Sequence, residues 1–257
     1  MSSYKATTSI VVLFVALIAV FSGLATRGDS QNTTRPSKPL AFKGRELPIV
    51  DFDELEPNDP VARELLSKRA KHYDKSSSQP IQDVPSISGR IWSNHWSKKL
   101  PALPTDASDI VLIGSITRAT AHLSNDKTAV FSEFEVAIQE ILKAETKGSS
   151  YGSSLLVERF GGAVRFHSGR VQRYETAGQG MPVVGRTYLL FLKRINTGPN
   201  YSILTGYDVS GPAVEPLDGA LADEGGEEYA FDKYAGIDLS QFLTDVRAVI
   251  SKAVSGN

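Results

Sequence analysis

The chain has 257 residues with 28 basic and 29 acidic side chains, a formal net charge of −1, which is length enough for one or two domains with a sizeable core. So even a balance gives no whole-protein field to gather a polyanion. The sequence contains no cysteine, which excludes disulfides, thiolate metal sites, a cysteine nucleophile and a lipoprotein lipobox together.

Residues 1–26 carry Lys5, the apolar run Ile10–Phe21 and a small-residue exit, Ser22-Gly-Leu-Ala-Thr26, the plan of a secretory signal. Gly23 and Ala25 fit a cleavage site, yet the uncharged interval Ala6–Thr26 is also long enough to span a bilayer, for which about 20 residues suffice. The segment reads as a signal peptide or a signal anchor. The anchor is slightly favoured because no clean Ala-x-Ala is present. Either way the remainder is expected outside the cytoplasm, single-pass and membrane-anchored, or secreted or periplasmic after cleavage. An exported chain without disulfides has to be held by a packed core.

Residues 27–104 read as a largely irregular linker, Pro-rich from Arg27 to Pro48 and without hydrophobic period. The tripeptide Arg27-Gly-Asp29 is too common a match to use. Asp59 before Pro60 is an N-cap followed by a helix-opening proline, predicting a short helix over about 60–73. Its apolar positions are few (Val61, Leu65, Leu66), so it reads as solvated. Lys75–Pro104 is again Ser- and Pro-rich and holds Trp92 and Trp96. These are expected to plug a strap into an apolar gap, or to offer an aromatic contact surface.

From residue 105 to the C-terminus the texture is that of one β domain. Asp109–Thr117 is a strand with a bend or bulge at Gly114. Thr128–Lys143 is a second, whose period-two phase slips at Ile141-Leu142, as at a bulge. Glu133 and Glu135 alternate to the outer face, where solubility explains them. Gly148–Gly152 spells G-x-S-x-G, but a strand follows instead of the helix a nucleophile elbow requires. Ser153–Phe160 is a third strand, Gly161-Gly162 a turn, and Ala163–Thr176 a hairpin or long loop. Gly185–Arg194 is apolar on both sides, as in a strand buried on both faces. Tyr201–Tyr207 is a fifth strand and Ala213–Leu217 a short edge. The acidic residues between Asp218 and Tyr234, including 223–232, fit no EF-hand spacing. Asp238 caps a last helix over 239–254, with Gln241 at N3 and a stripe of Leu239, Phe242, Leu243, Val246, Val249, Ile250 and Ala253. The expected fold is mainly β: a small, partly open, five-stranded OB-like barrel with a C-terminal amphipathic helix, preceded by an N-terminal hydrophobic helix and linker.

Ile113-Gly-Ser-Ile-Thr117, Ser132-Glu-Phe-Glu-Val-Ala-Ile-Gln-Glu-Ile-Leu-Lys143 and Val184-Gly-Arg-Thr-Tyr-Leu-Leu-Phe-Leu192, in that order, resemble the netrin and metalloproteinase-inhibitor type of OB module. They resemble more closely bacterial exported proteins with the same strand order. The resemblance covers about 109–217 and implies the barrel. The inhibitors of that family hold a protease zinc through an N-terminal cysteine, which this chain lacks, so their mechanism does not carry over.

No catalytic constellation, cofactor motif or metal-ligand spacing emerges, and His72, His95, His122 and His167 are scattered. The sequence therefore predicts a non-enzymatic binding module of the cell envelope, with an envelope protein or an anionic ligand as partner and the membrane engaged through the N-terminal helix. Arg159, Arg165, His167, Arg170, Arg173 and Arg186 are the candidates to grip a phosphate or carboxylate. Nucleic-acid binding, the common use of OB barrels, would draw on Arg159, Phe160, Arg165, Phe166 and Tyr174, but export argues against it. A hydrolase built on His167 with Glu158 or Glu175 has only residue type in its favour.

Overall fold

The computed structural model describes residues 47–76, 78–85, 91–92, 99–145, 151–176, 178–195, 200–219 and 229–255. The segment 1–26, Arg27–Asp29, Trp96, the side chain of Trp92, Gly148–Ser150 and the acidic stretch 220–228 lie outside the described residues. The elements are β1 (Ile49–Asp51), α1 (Pro60–Ala70) prolonged by a 3-10 turn at Lys71–Tyr73, β2 (Ile91–Trp92), β3 (Ile110–Leu123), β4 (Val130–Lys143), β5 (Ser154–Phe160), β6 (Gly162–Arg165), β7 (Val171–Glu175), β8 (Thr187–Arg194), β9 (Tyr201–Asp208), β10 (Glu215–Pro216) and α2 (Leu239–Ser255). Among the described residues no helix is long and apolar enough to cross a membrane.

Strands β3, β4, β5, β9 and β8 hydrogen-bond in that order, and β8 returns to β3, so the five-stranded barrel is closed and not partly open. Every pairing is antiparallel except β5 with β9, which is parallel and joins Val157 to Tyr201 and Glu158 to Ser202. Strand alternation fills the barrel: Ile110, Leu112 and Ile116 of β3, Phe134 and Val136 of β4, Val157 of β5, Tyr188, Leu190 and Leu192 of β8 and Ile203 of β9 form one buried cluster. Strand β8 is buried on both faces, as its composition predicts. Leu189 and Phe191 point away from the barrel interior and pack with Phe242, Val246 and Ile250 of α2. The Asp238 carboxylate accepts from the amides of Ser240 (2.9 Å) and Gln241 (3.2 Å), which starts α2 where the capping signal places it. The Gln241 side chain donates to Asp245 instead of reaching back to the cap.

Beyond β5 the chain bends at Gly161 and Gly162, both at positive φ (111° and 148°), and continues as the β6–β7 hairpin. That hairpin is the centre of a second sheet of order β1-β6-β7-β2. Sequence reasoning makes residues 47–85 part of a linker. In the structure Val50, Ala70, Tyr73 and Ile81 of this stretch are buried, Val50 and Ile81 among Ala121, Val130, Val164 and Phe166. Single apolar residues separated by polar ones leave no periodicity, which is why the attachment is silent in the sequence.

The register of β3 against β4 shifts between Ile113 and Gly114, and Gln139 and Leu142 of β4 are left without a partner residue. A Cβ at Gly114 would lie 2.5 Å from Val136 Cγ1 and 2.7 Å from the Ala137 carbonyl oxygen. Gly114→Ala is expected to destabilise the barrel by about 1–3 kcal/mol through overpacking. Urea unfolding followed by circular dichroism checks this: an unchanged midpoint would contradict the close approach.

Candidate functional site

On β4 and β5 the residues that face away from the barrel interior include Phe131 and Glu133, and Glu158 and Phe160. Register pairs Phe131 with Phe160 and Glu133 with Glu158, so two rings and two carboxylates sit side by side. A β-barrel gains nothing from two adjacent acids on its wall. Here both are covered, Glu133 to 8% exposure and Glu158 to 1%, so solubility does not account for Glu133.

The cover is the end of α1 and its 3-10 turn. Asp59 opens the helix by accepting from Ala62 N at 3.0 Å, and Arg69 and Tyr73 fall four residues apart, on one side of the turn. The Tyr73 ring stacks on Phe131 with centroids 4.3 Å apart and planes 5° from parallel. Its hydroxyl donates to Glu158 Oε2 at 3.2 Å, and Asn200 Nδ2 donates to the other oxygen of the same carboxylate. Arg69 Nε lies 2.7 Å from Glu133 Oε1, and His122 Nε2 lies 3.1 Å from Glu133 Oε2. The β3–β4 turn grips the strap from its other side. Asn125 donates to Ser67 O (2.9 Å), and the Lys75 amide donates to Asp126 Oδ2 (3.0 Å) and Thr128 Oγ1 (2.9 Å). Partial burial opposes ionisation of Asp126, but its bonds from Thr128, Ser124 and Lys75 prevail and hold its pKa at about 2.

Burial pushes the Glu158 carboxyl above the usual carboxylate range; the Asn200 and Tyr73 donors work against this, and the Glu133 charge adds to it. The Tyr73 phenol is raised well above its ordinary value by burial and by the Glu158 charge, so it stays a donor. Beside the strap opens a cleft of 470 Å³ lined by His72, Tyr73, Lys75, Phe160, Ser202 and Leu204 among others. Lys75 Nζ stands over the Phe160 ring, 4.3 Å from its centroid, and burial lowers the pKa of that lysine.

The arginines singled out from the sequence are not gathered into one patch. Arg159 is buried at 1% exposure, its guanidinium 2.7 Å from Asp218 and 2.6 Å from the Gly180 carbonyl oxygen. Arg165 pairs with Asp51 (3.4 Å), Arg170 with Asp83 (3.0 Å), Arg173 with Glu175 (3.2 Å) and Arg186 with Asp208 (2.6 Å). His167 is exposed on the β6–β7 turn. Of the hydrolase candidates, Glu158 turns to Tyr73 and Asn200, and Glu175 to Arg173. Trp92 lies on β2, whose backbone pairs with β7. Sequence reasoning missed Tyr73, Glu133 and Asn200 as neighbours of Glu158. The available signals were the outward phase of Glu133 and the spacing Arg69-x-x-x-Tyr73.

Because Glu158 has a raised pKa in the fold, the folded chain holds more protons than the unfolded one from pH 4.5 upward to that raised value. Its contribution to stability therefore falls as pH rises through this window. Glu158→Gln is expected to raise the unfolding midpoint at pH 7–8, with the gain shrinking to nothing towards pH 4.5, as thermal scans at stepped pH would reveal. A pH-independent difference would contradict the assignment. Asp218→Ala, which strands a buried guanidinium, is expected to destabilise by about 3–5 kcal/mol in the same assay. Compared with family models and with curated proteins, the chain has no match.

Proposed function

We propose that the chain is an exported, non-enzymatic binding module of the OB type, held at the membrane by residues 1–26, which recognises an envelope partner through the outer face of β4 and β5. Counted along the barrel, the strand order is first, second, third, fifth, fourth and back to first. Barrels of the OB type bind ligands on the face of their second and third strands, here β4 and β5. The observation that carries the reading is the composition of that face. Phe131, Phe160 and Glu133 lie outside the barrel core and the Glu158 side chain meets the seam through Asn200, yet this face already holds a stacked phenol and a guanidinium.

The same face weighs against a nucleic-acid or other polyanionic ligand. Its fixed charges are carboxylates, and five arginines that might have served a phosphate each have an acidic partner within 3.4 Å. A polyanion would have to break those pairs before gaining any contact of its own.

Two measurements test the proposal. Protease accessibility on intact and permeabilised cells is expected to place residues 47–257 outside the cytoplasm in the membrane fraction; cytoplasmic protein would overturn the tether. Full-length protein recovered from envelope extract is expected to retain a partner that Glu133→Lys loses. Equal recovery by both forms would remove the β4–β5 face from recognition.

A further inference from the structure

The strap over β4 and β5 makes its contacts as a ligand does. Two anchors one helical turn apart enter two adjacent seats: Arg69 beside Glu133, and Tyr73 on Phe131 with its hydroxyl on Glu158. The rest of the helix adds little. Val61 is 65% and Leu65 48% exposed, and the apolar contact with the wall is confined to Ala70, Tyr73 and half-buried Leu66. A helix that belonged to the core would turn a full apolar stripe inward; this one leaves Val61 and Leu65 out and seats only its last turn, through Leu66, Ala70 and the ends of Arg69 and Tyr73. The attachment is also incomplete in charge. Glu158 is buried against a neutral phenol and an amide, beside a second carboxylate, so the face would hold a cation better than it holds its own tyrosine.

We propose that the β4–β5 face is a site for a protein helix presenting a basic residue and, four positions on, a tyrosine or second cation. Residues 59–75 are its built-in competitor, bound in cis through Arg69 and Tyr73 until such a helix displaces them. This rests on the recognition face assigned above and adds the chemistry of the partner and the identity of the resident occupant. The strap has anchors outside the two seats. It is held on one side by β1 on β6 and on the other where the Lys75 amide meets Asp126 and Thr128, so displacement breaks the Asn125–Ser67 bond and lifts Asp59 to Tyr73 as a loop between two fixed ends. What it uncovers is a floor of two rings flanked by two carboxylates, complementary to the i, i+4 pair that left it.

The test uses the chain's own segment as the probe: a fluorescein-labelled peptide of residues 59–75, followed by anisotropy against the full chain. Arg69→Ala/Tyr73→Ala, which empties the seats in cis, is expected to bind the peptide at least tenfold more tightly than the unaltered chain does. Adding Glu133→Gln/Glu158→Gln is expected to abolish that binding, as is replacing arginine and tyrosine by alanine in the peptide. An emptied variant that keeps its cooperative unfolding and still ignores the peptide would overturn the proposal. Should that variant not fold, hydrogen exchange on the unaltered chain decides: amides of 61–73 exchanging well before those of β3 and β4 support a displaceable strap, and equal protection refutes it. Capture of an envelope partner that depends on Glu133, together with a peptide that fails to bind, would leave the recognition face standing and remove only the built-in competitor.

Discussion

The barrel is closed across its shortest seam, the parallel pairing of β5 with β9, and four consecutive residues of β5 organise what lies on both sides of it. Val157 faces the core and pairs with Tyr201. Glu158 faces outward and receives Tyr73 and Asn200. Arg159 returns to the inner side and locks onto Asp218, which also accepts from the Gly180 amide at 2.9 Å. Phe160 turns outward again, beneath Lys75 and near Tyr73. Period-two alternation thus assigns closure and clamp to one face and the strap to the other. A one-residue slip of β5 would put a glutamate against Asp218 on the inner side and an arginine or valine in the seat of Glu158 on the outer side, so register here is fixed by charge as well as by the core.

The near-neutral net charge is a sum of local pairings. Arg69, Arg159, Arg165, Arg170, Arg173, Arg186 and Arg247 each stand within 3.4 Å of a carboxylate. Most of these pairs are exposed and contribute little to stability; their consequence is that the arginine-rich hairpin is electrostatically quiet. The buried pairs behave differently. Arg159 and Asp218 are isolated from water and tied to the backbone at Gly180 and Leu204, which makes them a specific device for register. At Glu133 and Glu158 two acids share one guanidinium, a histidine, a phenol and an amide. Among the described residues of the barrel wall, these are two buried carboxylates set side by side with a single guanidinium between them.

What the sequence disclosed and what it hid follow from the range of the interactions involved. Strand β8 is legible because Tyr188 to Leu192 leave no polar side, and α2 because Asp238 and its stripe are local signals. The phase slip at Ile141-Leu142 correctly marks a bulged strand. Closure of the barrel was not legible: the β5–β9 seam consists of two residue pairs between strands far apart in the chain, and nothing in Ser154–Phe160 names its second neighbour. The outward phase of Glu133 is legible and its burial is not, because the covering helix has no apolar stripe to announce a docking face. The arginines illustrate the reverse error. A run of like charges suggests a ligand when their acidic partners, Asp51 and Asp83, come from a stretch that reads as linker.

The division of labour at the seam bears on whether the strap can leave. If Tyr73 and Arg69 helped to close the barrel, removing them would open it, and no partner could profit from the vacated face. They do not. Ladder hydrogen bonds and the Arg159–Asp218 clamp hold β5 to its surroundings from the inner side, and Asn200, on the approach to β9, bonds Glu158 from the outer side without involving α1. With the strap gone, the Asn200–Glu158 bridge persists, Glu158 regains water, and the repulsion from Glu133 is screened. The wall therefore keeps its shape when uncovered, and a helix arriving with its own cation meets a preformed seat instead of having to order one.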